Sequence, residues 1–365
     1  MTERPLASRL KNVLIPFIAL LLALLVCAIL IRSFGYSPLS VYKGIIIGAA
    51  GNMRSLLQTL SESTVLILTG LSFAVAFKAG LINIGAEGQL YMGAVFGSLV
   101  GLYLPLPGII HKATVILVAA AAGGAWAALA GYLKVKFNAH EVITTIMLNT
   151  IAANFCSYLV NYPLRASEAI AQSDRLLETA IIPRFSAQSQ FNPTFFLAVI
   201  IVIIVYIIVH HTVFGYEMRV TGRNRNAGLA GGINVNRMII ASMALSGAVA
   251  GCAGSFHVMA INTRLIDGFS TGFGFAGVAV SALAGGNILP IIFSGILFGV
   301  FKNGALVVQR ISRIPSDFIQ ILQALVIIFV AAPMMILAFM DFVRGGIRKI
   351  TNFAGLRKNR RRTTP

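Results

Sequence analysis

The sequence predicts an all-α polytopic membrane protein with about ten transmembrane helices. Three observations predict it. Hydrophobic residues make up 57% of the 365-residue chain and charged residues only 11%, whereas soluble domains carry about 25% charge. Apolar runs of roughly twenty residues, the length that crosses a bilayer core, recur from end to end. The 29 basic residues, against 11 acidic ones, gather in alternate connections between those runs. Mean hydropathy is +0.86. This composition excludes a soluble enzyme, a disordered tail protein and a collagen-like chain, and leaves no room for a sizeable soluble domain.

Residues 13–31, VLIPFIALLLALLVCAILI, form the first run, preceded by Arg4, Arg9 and Lys11. The core is longer than a signal peptide's, and no small-x-small cleavage pattern follows before Arg32, so an uncleaved first span is expected. The later spans are diluted by Gly and Ala and read as 56–77, 84–104, 113–133, 141–161, 193–213, 238–259, 271–286, 290–309 and 317–340. The segment 271–286 is short and glycine-rich, the pattern of a broken or re-entrant element. With the N-terminus inside, 18 basic residues fall in inside segments and ten in outside segments. That bias places both termini in the cytoplasm and agrees with an even number of spans. The basic tail, residues 346–365, is positioned to rest on anionic lipid. The net charge of +18 is thus mainly a topology signal and not a sign of nucleic acid. Two connections are long, an outside segment 162–192 and an inside segment 214–237. The others read as short turns.

The residue types for several chemistries are missing. The five histidines lack the i, i+4 pairing with a nearby carboxylate that a helical metal site uses. No GxSxG occurs, and the dipeptide Gly-Lys is absent, so there is no phosphate-binding P-loop. Gly272-Phe-Gly274-Phe-Ala-Gly277 matches G-x-G-x-x-G but follows no strand. Close helix packing or an unwound turn explains it better. Cys27, Cys156 and Cys252 sit in apolar runs and read as small buried residues. Small-xxx-small spacing at Gly93/Gly97/Gly101, Gly247/Gly251 and Gly295/Gly299 predicts flat helix faces that a neighbouring backbone approaches. Polar groups at membrane depth are costly. Glu62, Glu87, Asn149, Asn154, Lys302 and Asn303 therefore read either as interhelical hydrogen-bonding groups or as parts of a path. Gly80, Gly85 and Gly88 weaken the helix around Glu87, so a break there is expected to offer backbone groups to a ligand or a neighbouring segment.

Three motifs carry a family resemblance. Asn83-Ile-Gly85-Ala-Glu87-Gly88-Gln89, after Ala79-Gly80-Leu81-Ile82, resembles the signature of membrane permease subunits of bacterial ABC importers. The subfamily is the one for simple sugars and nucleosides, and the acidic form is most similar to the nucleoside branch. The segment from Arg223 to Val235 resembles that family's cytoplasmic coupling loop. The segment Gly272 to Asn287 supplies the third match. The resemblance spans residues 10–345. It implies a permease domain over 1–345, two pseudo-repeated halves with 79–101 and 268–299 as paired elements, and dimerisation with a second permease copy or a homologous permease. It further implies ATPase subunits inside, which would hold ATP and Mg, and a substrate-binding protein outside. The chain itself would carry no cofactor and no metal.

Under this resemblance Asn83, Gly85, Glu87, Gly88, Gln89, Gly272, Gly274 and Gly277 mark the translocation path. Glu217, Arg219, Arg223, Arg225, Ala227, Ala230, Gly231 and Gly232 form the coupling element. There the small residues would seat in a groove on the ATPase and the arginines would meet its acids. Arg165, Arg175 and Arg184 in the outside segment become candidates for docking the binding protein. The solute would be a nucleoside, with simple sugars or a ribityl-bearing vitamin such as riboflavin as alternatives, all ribose-like polyols. An ion-coupled secondary transporter is the alternative of another class, with Glu62, Glu87 and Lys302 as coupling groups. A membrane enzyme lacks a clustered catalytic set.

Overall fold

The computed structural model describes residues 21–166, 170–186 and 189–312, together with Ile321 and Leu325. The expected tenth span 317–340, the basic tail 346–365 and the residues before Leu21 lie outside this description, the two sparse positions apart. The chain divides into two compact units, residues 1–38 with 320–365 and residues 39–319. In the first, helix α1 (Leu21–Ser33) buries Ala23, Cys27 and Ile31, spaced four apart on one face.

Among its described residues the regular elements of the second unit are helices, apart from one isolated bridge between Gln172 and Ile266. Its elements are α2 (Pro38–Ala50), α3 (Met53–Lys78), α4 (Ala86–Tyr103), α5 (Gly108–Phe137), α6 (Glu141–Asn161) and α7 (Thr194–His211). There follow α8 (Val213–Arg223), α9 (Arg225–Ala230), α10 (Val235–Phe256), a π-helical turn (His257–Asn262), α11 (Phe273–Leu283) and α12 (Ile291–Ser312). Among the described residues six helices are long and apolar enough to cross a membrane, α3, α5, α6, α7, α10 with its π turn, and α12. Helix α4 has 18 residues but carries Glu87 and Gln89. The expected span 271–286 contains only the 11-residue α11, which is too short to cross. The connection after the first run is not a simple turn, because residues 38–50 form α2.

Helix α3 is the axis of this unit. Asn52 caps it, its side chain accepting the Ser55 N–H at 2.8 Å, and most of its length is buried. Helix α12 runs antiparallel along it, Gly295 lying against Ile67 and Gly299 against Thr59 and Ser63. Helix α11 runs parallel to it, Gly277 lying against Thr69 and Val280 against Gly70. The first residue of α11 therefore sits near the middle of α3 and not at either end. A second group packs α4, α5 and α10 backbone to backbone. Gly251 meets the main chain of Ala119 and Gly123, Gly93 meets Gly251, and Gly254 meets Leu90 and Ala94. The small-residue faces thus pack as expected, except that Gly97 and Gly101 meet side chains and not backbone.

The packing predicts different outcomes for two similar changes. A Cβ at Gly251 overlaps the Ala119 carbonyl, whereas one at Gly97 meets the Ala119 and Val115 side chains at an ordinary 3.4 Å. Gly251→Leu is expected to destabilise the bundle by about 3 kcal/mol or more. Gly97→Ala is expected to be neutral or stabilising by up to about 1 kcal/mol, through helix propensity. Denaturant unfolding of the detergent-solubilised protein distinguishes them.

Candidate functional site

Two interrupted helices meet inside the bundle. From the end of α3 the chain turns at Gly80, whose φ is +70°, and runs through 81–85 before α4 begins. This segment is held by side-chain amides. Asn83 and Gln89 pair reciprocally, Asn83 Nδ2 donating to Gln89 Oε1 at 3.0 Å and Gln89 Nε2 donating to Asn83 Oδ1 at 2.9 Å. Asn83 Nδ2 also donates to Ser246 Oγ on α10 at 2.7 Å, and Ser246 in turn donates to the Ser72 carbonyl on α3 at 2.7 Å. Asn149 on α6 accepts the Gly88 N–H at 2.8 Å and donates to the Ile84 carbonyl at 2.9 Å. The first-turn N–H groups of a helix have no partner of their own, and these side chains supply partners. The expected break around Glu87 is real, and its free backbone groups are taken by neighbouring segments.

Glu87 joins this element to the second glycine-rich segment. It stands in the first turn of α4 and its Oε2 accepts the N–H of Gly274, in the first turn of α11, at 2.6 Å. The carboxyl group therefore lies where two helix N-termini converge, the position at which a negative group is most favoured. Gly274 must be glycine, because a Cβ there would overlap the backbone of Ala86 and Glu87. Gly277 likewise abuts Thr69, while Gly272 takes φ +83° with open space around it. Of the eight residues singled out from sequence, Asn83, Gly85, Glu87, Gly88, Gln89 and Gly274 meet in one junction, and Gly272 and Gly277 flank it along the chain.

Beside the junction lies a charged and aromatic cluster. Lys302 on α12 pairs with Glu62 on α3 at 3.6 Å. Its Nζ stands 2.9 Å from the ring centroid of Phe273. Phe273 packs edge to face with His257, His257 contacts Phe269, and Phe269 packs edge to face with Tyr91. Of the other polar candidates, Asn303 bonds to Gly48, Ser55 and Thr59. Asn154 donates within its own helix, to the Thr150 carbonyl at 2.9 Å, on an exposed face.

At one end of the bundle α8 and α9 form a separate feature. Gly222 of α8 packs directly on the main chain of Lys78, Ala79 and Gly80, so this end touches the turn that leads into α4. Asn224 ends α8 and caps α9, accepting the N–H groups of Asn226 at 3.0 Å and Ala227 at 3.1 Å. Only Gly228 of α9 is buried, while Ala227, Leu229, Ala230, Gly231 and Gly232 are exposed. Arg223 and Arg225 are exposed, Glu217 is half-buried, and the half-buried Arg219 has its Nη1 buried with no hydrogen-bond partner among the described residues.

At the opposite end the long segment after α6 is a strap, not a free loop. Leu176 N–H donates to the Thr263 carbonyl at 3.0 Å, Ser173 N–H to Leu265 at 2.8 Å and Ile182 N–H to Met259 at 3.0 Å. Arg184 donates to the Ile261 carbonyl at 3.2 Å, Arg175 pairs with Glu178 at 3.2 Å, and Arg165 is exposed. His111 clamps the strap to α4 through Thr179 and the Val100 carbonyl. Asp267, on the stretch beneath the strap, accepts from Ser157 at 3.0 Å and Asn161 at 3.2 Å. Cys27, Cys156 and Cys252 are buried, as their apolar runs predict. Sequence reasoning missed Ser72, Ser246, His257 and Phe269, because no local pattern distinguishes them from ordinary helix or loop residues.

Removing the Glu87 carboxyl should be costly in proportion to what is left unpaired. Glu87→Ala leaves the buried Gly274 N–H without its acceptor and is expected to lower stability by about 1–3 kcal/mol. Glu87→Gln keeps an acceptor and should cost less. Unfolding curves of the two purified variants against the wild type check the order.

Residues 55–331 match the family described as branched-chain amino acid transport system / permease component. The chain is 33% identical to the guanosine ABC transporter permease protein NupP of Bacillus subtilis, over 94% of this chain and 99% of that protein. It is 31% identical to the nucleoside ABC transporter permease protein NupB of Lactococcus lactis, over 90% of this chain and 93% of the relative. The glucose ABC transporter permease protein TsgB13 of Haloferax volcanii is 28% identical over 86% of each chain. No solved structure matches the chain. With most of its length matched, and with its two glycine-rich segments joined in one multi-pass helical bundle, the chain belongs to this family of transport-system permeases.

Proposed function

We propose that this chain is the membrane-spanning permease subunit of an ATP-driven importer that carries nucleosides across the inner membrane. The observation that carries this reading is its nearly end-to-end similarity to permeases named for guanosine and for nucleosides. The glucose permease relative supports simple sugars as the second reading. The partners are ATPase subunits holding ATP and Mg, an extracytoplasmic substrate-binding protein, and a second permease copy or a homologous permease. Both termini are cytoplasmic, which places α8 and α9 inside and the strap outside. Residues 1–345 act as the permease domain and 346–365 as a basic cytoplasmic tail.

In this reading α9 is the coupling element. Its exposed small residues lie in a groove of the ATPase, and Arg219, Arg223 and Arg225 meet acidic groups there. Gly222 packs against the α3–α4 turn, so a push on α8 is delivered to the segment that carries Asn83 and Glu87. Packed helices then move as rigid bodies and expose the path to one side, then the other. The strap is the docking face for the binding protein, through exposed Arg165 and through Arg175 and Arg184.

Two outcomes test this. Permease alone in liposomes with an ion gradient should take up no guanosine, and uptake should appear when the ATPase, ATP and the binding protein are supplied. Robust gradient-driven uptake without the ATPase would instead identify a secondary transporter. In the complete importer, Ala227→Trp and Gly231→Trp should abolish substrate-stimulated ATP hydrolysis at normal membrane abundance. The protein itself has room for both. Ala227 is exposed, and a Cβ at Gly231 meets only backbone oxygens, at 3.4 and 3.5 Å. A surface change of this kind costs within about 0.5 kcal/mol of stability. Wild-type hydrolysis in both variants would place the coupling site elsewhere.

A further inference from the structure

The aromatic cluster beside the junction has features that packing alone does not require. Tyr91, His257, Phe269 and Phe273 come from three separate stretches of chain, and each is more than nine-tenths buried. Their rings touch in sequence, with centroids 4.8 Å apart for Tyr91 and Phe269, 5.2 Å for His257 and Phe269, and 5.5 Å for His257 and Phe273. Within this apolar box His257 Nδ1 is buried and has no hydrogen-bond partner among the described residues. A buried polar atom left unpaired is destabilising, so Nδ1 is open to a hydrogen bond from a group outside the bundle.

The backbone around the cluster is built to open. His257 begins a π-helical turn, a form of helix that recurs at functional sites. Phe269 hangs in the irregular stretch between Gly268, φ +61°, and Gly272, φ +83°, and nothing crowds either glycine. Lys302 occupies one side of Phe273, its ammonium 2.9 Å from the ring centroid. The cluster lies between the strap-covered stretch with Asp267 and the Glu87–Gly274 contact.

We propose that this cluster is the point at which the permease itself recognises the base of its solute. When the bundle opens, a flat heteroaromatic base replaces the ring-to-ring contacts by stacking on Phe269 and Phe273, and His257 Nδ1 exchanges a hydrogen bond with its edge. Aromatic side chains stack on any base, so the rings accept the class, while a hydrogen bond at one nitrogen discriminates between members of it. This inference rests on the nucleoside reading and adds a selectivity step within the permease subunit.

The test uses the complete importer in proteoliposomes, with one binding-protein preparation throughout, and measures uptake of guanosine, adenosine and uridine. His257→Phe keeps a ring and removes Nδ1. It should change the ratio of guanosine to adenosine uptake by about threefold to tenfold. Phe269→Leu should lower uptake of all three and leave the ratio in place. An unchanged ratio in His257→Phe at wild-type abundance overturns the proposal while leaving the nucleoside reading intact. A wild-type importer that takes up none of the three overturns both. A second measurement does not depend on a variant that folds. Photolabelling of the wild-type importer with 8-azidoadenosine during ATP turnover should mark the peptide spanning 257–273. Labelling of the permease elsewhere, or of the binding protein alone, overturns the proposal.

Discussion

The contact between Glu87 and the Gly274 N–H is the constraint on which the rest of the bundle depends. Helices α4 and α11 both begin inside the protein, so each brings unpaired N–H groups and a positive dipole end into the buried interior. One carboxyl group placed between them answers both needs. The main chains must approach closely for it to reach, and this is why Gly274 has no side chain. Remove the carboxyl group, and the Gly274 N–H loses its acceptor; add a Cβ at Gly274, and it overlaps the main chain of Ala86 and Glu87.

The neighbouring interactions extend the same solution. Asn83, Gln89, Asn149, Ser72 and Ser246 direct their side-chain hydrogen bonds to the 79–88 segment and its surroundings. Each is a polar group at a depth where an unpaired one is costly. Together they make irregular backbone tolerable inside the bundle, which is possible only where other protein surrounds it. Two broken helices that share a junction can move as a unit, because displacing one drags the other through Glu87. The Gly222 packing on the α3–α4 turn connects that unit to the exposed α9.

Strength and openness are distributed unevenly. The α4–α5–α10 group is locked by backbone contacts at Gly93, Gly123 and Gly251 and has little freedom to repack. The stretch from His257 to Gly272 is different. It contains the π turn, two uncrowded glycines with positive φ, and a strap hydrogen-bonded across it. A rigid group beside a compliant stretch is the arrangement that lets packed helices tilt while one local segment changes conformation.

The sequence by itself determined the all-helical, membrane-spanning class, because span length and apolar composition are local properties of each run. It determined also that Gly93, Gly247, Gly251, Gly295 and Gly299 lie on packing faces, and that the helix breaks near Glu87, since glycine spacing is equally local. The segment 271–286, counted among the spans but short and glycine-rich, holds only the 11-residue α11, and residues 38–50 form a helix in place of a short turn. What only the tertiary structure decided is who meets whom. Glu87 and Gly274 lie 187 residues apart, and Asn83 and Ser246 lie 163 apart. No periodicity encodes such a pairing. Ser246 looks like any small residue on a helix face, and His257 like any interior histidine. Their roles arise only when α3, α10 and α11 fold against one another and bring their polar atoms within bonding distance.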